Sequence, residues 1–126
     1  MEKGVFRTFI ETRFSAAHRL VGYDGHCGRV HGHTWKVRVE VEMNQINDIG
    51  ISIDFKELKK MAESVIDRLD HQDINTVAPF DTRNPTAEHL ARYIHQEVVK
   101  RLPAGVRLAQ VTVWESDHHA VSYFEP

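Results

Sequence analysis

The chain has 126 residues, 41% of them apolar and 27% charged, with 16 basic against 18 acidic side chains and a formal net charge of -2. That length suits a single domain over residues 1–126, and the composition excludes an intrinsically disordered chain. Interleaved charges without a basic stripe argue against nucleic acid or an anionic membrane as partner, and no apolar run approaches the ~18 residues of a membrane span. Met1, Glu2, Lys3 and Gly4 lack the basic and apolar regions of an export signal, and Cys27 is the sole cysteine. No internal disulfide is possible, so a reducing cytoplasm is the expected location.

Residues 5–14 carry Val5, Phe6, Thr8, Phe9, Ile10, Thr12 and Phe14 and predict a strand. Gly22, Gly25 and Gly28 make residues 21–30 an irregular loop. Residues 34–42 give the clearest strand, because Trp35, Val37, Val39 and Val41 alternate with Lys36, Arg38, Glu40 and Glu42. Turn chemistry over residues 44–50 precedes a change of period. Phe55, Leu58, Ala62, Val65, Ile66 and Leu69 then fall on one helical face, and Asp54 with Glu57 resembles a capping box.

A loop over residues 70–83 leads to a second helix, capped by Asn84 before Pro85 or by Thr86. Its apolar stripe is Leu90, Ala91, Ile94, Val98 and Leu102, and Pro103 with Gly105 ends it. Residues 106–115 return to period two, with Ala109, Val111 and Val113 set against Leu108, Gln110 and Thr112. A turn over residues 117–119 and a short strand over 120–124 complete the chain. The order ββααββ predicts an α+β fold, an antiparallel four-stranded sheet with two helices on one face. Such a sheet has two edges, which pairing between copies would satisfy.

Nine histidines are many for this length, and five lie between positions 18 and 71. His31 and His33 flank Gly32 just ahead of the clear strand. Residues i and i+2 of an extended segment face the same side, so both imidazoles can meet one ion. If the first two strands form a hairpin, His18 approaches them, and three neutral imidazoles with an open position make a catalytic zinc pattern. His26 can substitute for any of the three. His89 and His95 read as helix-face residues, and His118 and His119 as solvated turn residues. Cys27, four residues before His31, can be a base or nucleophile activated by the metal, a fourth ligand closing the site, or a buried small residue. Asp70 and His71 can act as an oriented acid/base pair, or His71 can simply face a helix C-terminus. Glu115, at the end of the third strand, can pair with a guanidine-like edge or stay solvated.

Taken together, these residues resemble the 6-pyruvoyl tetrahydropterin synthase family, and within it the bacterial 6-carboxytetrahydropterin synthases of queuosine biosynthesis. The resemblance rests on Phe14-Ser15-Ala16-Ala17-His18, Cys27-Gly28-Arg29-Val30-His31-Gly32-His33, Asp54-Phe55, Leu58-Lys59, Leu69-Asp70-His71, Asn84-Pro85-Thr86-Ala87-Glu88 and the Glu115 segment, in that order. It implies the tunnelling fold, in which subunits pair their sheets into a barrel, and a homohexamer of two trimers with active sites between subunits. It implies zinc on His18, His31 and His33, an acid/base group of Cys27, Asp70 and His71, and a pterin anchored by Glu115, with Thr86 and Glu88 as further contacts. The implied substrate is 7,8-dihydroneopterin triphosphate. No motif marks the residues that hold the triphosphate, for which Arg13, Arg19, Arg29 and Lys36 are candidates. Two alternatives stand beside this reading: a 6-pyruvoyl tetrahydropterin synthase, and a structural zinc module with Cys27 as fourth ligand.

Overall fold

The computed structural model describes residues 4–126, the side chain of His26 excepted. Residues 1–3, read above for an export signal, and that side chain lie outside the described residues. Strands β1 (Phe6–His18) and β2 (His31–Met43) are followed by helices α1 (Phe55–Ile66) and α2 (Ala87–Val99), then by β3 (Arg107–Ser116) and β4 (His119–Tyr123). The sheet is antiparallel in the order β1-β2-β3-β4, so β1 and β4 are its edges. Both helices lie in the connection between β2 and β3 and pack on one face. This is the α+β arrangement that the sequence predicts. No helix is long and apolar enough to cross a membrane among the described residues.

The core forms where the two periodicities meet. Ile10 and Phe14 from β1, Trp35, Val37, Val39 and Val41 from β2, and Val111 and Val113 from β3 are buried against Leu58, Ala62, Val65, Leu90, Ala91, Ile94 and Val98 of the helices. Truncating one of the buried leucines to alanine would cost about 2–5 kcal/mol. Asp54 caps α1, its carboxylate accepting from Lys56 N. Thr86, rather than Asn84, caps α2, its hydroxyl oxygen accepting from His89 N.

Three expectations need correction. Phe55 shares the α1 sequence stripe but is 65% exposed, because it starts the helix beyond the reach of the sheet. Ala109 is not in register with Val111 and Val113. The ladder steps from Glu40↔Gln110 to Val41↔Leu108, so Ala109 is a bulge residue and Leu108 enters the core. His95, read as a helix-face residue, lies on the buried face of α2, edge-on to Tyr123. His119 opens β4, its Nδ1 2.9 Å from Ser116 Oγ.

Candidate metal centre and active site

Both site-bearing strands run further than alternation alone predicts. β1 continues through Ser15, Ala16 and Ala17 to His18, and β2 begins at His31 itself. In the hairpin, His18 faces His31 directly and Ala16 faces His33. His31 and His33 continue the row of Trp35, Val37 and Val39, and His18 continues that of Phe14 and Ala16. All three imidazoles therefore leave the sheet on the helix-covered side, at its open end. Their ring centres lie 4.6, 4.8 and 5.2 Å apart. The buried Trp35 forms the floor, edge-on to His18 and His33, and its indole N–H donates to Ala16 O at 3.3 Å.

Backbone carbonyls fix two of the tautomers. His18 Nδ1 lies 2.8 Å from Pro85 O, and His31 Nδ1 lies 2.6 Å from Arg29 O. A carbonyl only accepts, so each Nδ1 carries the proton and each Nε2 keeps its lone pair, the form that binds a metal. The Nε2 atoms of His18 and His33 are buried without a hydrogen-bond partner. Leaving such atoms unsatisfied costs about 1–3 kcal/mol each. Burial also pushes the pKa of both rings below the usual histidine value, which holds them neutral. Glu115 Oε1 stands 3.5 Å from His33 Nε2, and ligand atoms of His18, His31, His33 and Glu115 all lie within 4.8 Å of one another. These residues fit a divalent metal ion. Cys27 is not one of the four.

Cys27 sits half-buried in a single 3-10 turn, His26–Gly28, and its carbonyl accepts from Leu20 N at 2.8 Å. Gly28 is required there: a Cβ would meet Tyr23 O at 2.5 Å. The turn lies in the connection between β1, which ends at His18, and β2, which begins at His31.

The loop after α1 docks on the outer edge of β1. His71 N donates to Ser15 O at 2.6 Å, Ala17 N donates to Gln72 O at 3.0 Å, and Asp73 forms a parallel bridge with Ala17. Asp70 Oδ1 accepts from Ser15 N at 2.9 Å and lies 3.0 Å from His71 Nδ1. The Ser15 amide, and after it the neighbouring imidazole, hold the Asp70 carboxyl below its ordinary pKa. His71 adopts φ 59°, the left-handed region that costs most L-residues about 1 kcal/mol or more. The docked loop holds it there with the ring 82% exposed. An open hollow of about 590 Å3 has His33, Gly32, Thr34 and Ser15 on one side and His71 and Asp73 on the other. His33 of the metal group and His71 of the Asp70–His71 pair thus line one hollow.

Asn75 and Asn84 were not legible as site residues. Asn75 pairs with Arg19 through Arg19 N to Oδ1 (2.9 Å) and Nδ2 to Arg19 O (3.1 Å). Asn84 does the same to Val21, at 2.9 Å in both directions. The two amides clamp the chain immediately after His18. Of the expected pterin contacts, Thr86 is occupied as the helix cap and Glu88 is exposed in the first turn of α2.

A family profile described as 6-pyruvoyl tetrahydropterin synthase matches residues 8–126. The chain belongs to the 6-pyruvoyl tetrahydropterin synthase family. Among its relatives, a 6-carboxy-5,6,7,8-tetrahydropterin synthase from Synechocystis is 33% identical over 122 residues, covering 92% of this chain and 91% of the relative. A dihydroneopterin monophosphate aldolase from Pyrococcus furiosus is also 33% identical, over 115 residues, covering 91% of this chain and 94% of the relative. A solved 6-pyruvoyl tetrahydropterin synthase from Caenorhabditis elegans superposes with a TM-score of 0.87 at 26% identity, covering 98% of this chain and 97% of that one. The ββααββ subunit is the one these 6-pyruvoyl tetrahydropterin synthase relatives share, and the family assignment agrees with the motif order read from the sequence.

Proposed function

We propose that the protein is a zinc lyase converting 7,8-dihydroneopterin triphosphate and water to 6-carboxy-5,6,7,8-tetrahydropterin, acetaldehyde and triphosphate, in the cytoplasm and in queuosine biosynthesis. One observation carries the reading. Three imidazoles and Glu115 bring their ligand atoms within 4.8 Å of one another, two of the imidazoles with buried Nε2 atoms that lack a hydrogen bond, and one of them, His33, lines the hollow that also holds His71.

His18, His31 and His33 hold the zinc, which when bound polarises oxygens on the substrate side chain. The remaining chemistry belongs to side chains of this chain. Cys27 takes a proton from the pterin side chain. Asp70 holds the His71 ring through Nδ1, which leaves Nε2 to give or take a proton in the shared hollow. Glu115 binds the amino-pyrimidine edge of the pterin through paired hydrogen bonds, and its place beside His33 sets the pterin against the metal group. Thr86 keeps its hydroxyl proton free to donate to the ring while its oxygen caps α2, and Glu88 lies one turn beyond. The half-open edge of β1 and the exposed His71 support a homohexamer of two trimers in which sites are completed between copies.

Two relatives give specific weight to other outcomes. The aldolase name of the Pyrococcus relative, at equal identity, points to side-chain cleavage of a monophosphate. The Caenorhabditis neighbour points to 6-pyruvoyl tetrahydropterin. The zinc-loaded protein should be incubated with 7,8-dihydroneopterin triphosphate and, separately, its monophosphate, with products read by mass spectrometry and acetaldehyde trapped. Carboxytetrahydropterin and acetaldehyde in equal amounts are expected. Pyruvoyl product, or turnover of the monophosphate alone, would replace the reading with the corresponding alternative. No turnover of either substrate would leave a structural zinc module.

A further inference from the structure

Strand β3 breaks its pairing with β4 at one residue. Trp114 pairs with Ala120 and Ser116 with His119, so Glu115 is a bulge residue without a partner on β4. A bulge re-aims the side chain it carries. The Glu115 carboxylate points at the metal group, with Oε1 3.5 Å from His33 Nε2. Among the described residues that imidazole is its only ion-pair contact, and no group donates a hydrogen bond to it. The carboxylate is nonetheless only 35% exposed.

The Glu115–His33 contact is not a hydrogen bond. Such bonds fall at about 2.7–3.2 Å, and His33 Nε2 is buried without a hydrogen-bond partner. His18 and His31 turn Nε2 lone pairs toward the same point, because their Nδ1 protons are held by carbonyls. Acceptors and a carboxylate thus gather within 4.8 Å of one another. They repel unless a cation lies among them. Ligand atoms at about 2.0–2.2 Å from a tetrahedral zinc stand roughly 3.4 Å apart, which is the spacing that Glu115 and His33 adopt.

We infer that Glu115 is the fourth ligand of the metal centre in the substrate-free protein, and that this carboxylate leaves the metal for the guanidine-like edge of an incoming pterin. Paired hydrogen bonds to such an edge use both carboxylate oxygens, so the two roles exclude one another. The metal then gains an open position only when a ligand carrying that edge is present. Water and small oxygen donors without it meet a closed, four-coordinate centre. Glu115 is therefore a specificity-determining residue as well as an anchor. The exchange rests on the pterin reading above; the fourth-ligand position does not.

The test sets zinc and a pterin in competition for one carboxylate. The full-length protein is titrated with zinc against a chelator, with and without 6-methylpterin, which has the guanidine-like edge but no side-chain hydroxyl for the metal. In wild type, saturating 6-methylpterin should weaken zinc binding by roughly tenfold, and zinc should weaken 6-methylpterin binding by the same factor. Glu115→Gln, which keeps the shape of the side chain, should bind zinc at least the roughly tenfold more weakly that follows loss of an outer support. Its zinc affinity should no longer respond to 6-methylpterin. Cobalt(II) substitution reads the coordination directly: the visible spectrum of wild type should change when 6-methylpterin is added, and that of Glu115→Gln should not. Wild-type zinc affinity in Glu115→Gln, with 6-methylpterin bound to wild type and no coupling, overturns the inference and leaves the pterin reading intact. Weakened zinc binding in the variant without coupling in wild type overturns the exchange and makes Glu115 a permanent ligand. If 6-methylpterin binds neither protein, the pterin reading fails. The zinc titration then decides the fourth ligand alone: a weakened Glu115→Gln upholds it, and an unchanged one removes it.

Discussion

His18 and His31 are a directly opposed cross-strand pair, 4.6 Å between ring centres, and each donates its Nδ1 proton to a backbone carbonyl outside the two strands. The acceptors are Pro85 O at the start of α2 and Arg29 O in the preceding loop. The geometry of the metal group is therefore set by three separate segments, and the predictions below test those supports.

Cys27 lies outside the cluster of His18, His31, His33 and Glu115. Cys27→Ala is expected to bind one zinc per chain with the melting temperature of wild type, and to lose turnover by at least a hundredfold, as for removal of an acid/base group. Zinc content by mass spectrometry and product assays check this. Zinc loss in the variant would make Cys27 a ligand.

Asn84 joins Val21 to the entrance of α2 by two hydrogen bonds. Asn84→Ala is expected to cost about 1 kcal/mol by removing two hydrogen bonds to the exposed Val21 backbone. It should also weaken zinc binding, because the chain beyond His18 is released. Denaturant unfolding and a competitive chelator titration read the two effects separately.

Thr86 caps α2 through His89 N at 3.0 Å. Thr86→Ala should destabilise by about 1 kcal/mol, while Thr86→Ser, which keeps the hydroxyl, should be close to wild type. A stability loss shared by both variants would deny the capping role.

His95 is buried, both its ring nitrogens lack partners, and burial lowers its pKa from the ordinary 6.5. Tyr123 and Glu125 are the titratable groups beside it, and Glu125 opposes the shift. A folded-state pKa below the unfolded one means that the unfolded chain takes up the proton first. Stability is therefore intact above pH 6.5 and falls as pH drops below it. The slope from this one group is at most about 1.4 kcal/mol per pH unit. His95→Leu should flatten the acid limb of a stability-versus-pH curve measured by urea unfolding, and an unchanged limb would show that His95 is protonated in the fold.

The parts of the molecule written in local pattern were legible before any coordinates. The alternation from Trp35 to Val41 and the stripes of Leu58 to Ile66 and Leu90 to Val98 each bury one face, and burial is what a periodic pattern reports. The His-Gly-His spacing likewise placed two imidazoles on one side. The misses have a common origin in contacts distant along the chain. The run Ser15, Ala16, Ala17 has no apolar alternation and becomes strand only because β2 and the docked loop pair with it from either side. The bulge at Ala109 depends on how β3 meets β2, and the clamps of Asn75 and Asn84 reach back 56 and 63 residues. Short polar side chains that bind distant backbone carry no signature in their own neighbourhood.

The loop that places His71 has a second effect on β1. By occupying Ser15 O and Ala17 N, it acts as an end-stop on that edge. A strand arriving from another molecule finds free donors and acceptors only along residues 6–14, so it must register there and halt short of the histidines. The contact that sets the Asp70–His71 pair would thus also fix how far a neighbouring sheet can slide. Lengthening or loosening this loop should then blur the stoichiometry of assembly as well as the chemistry.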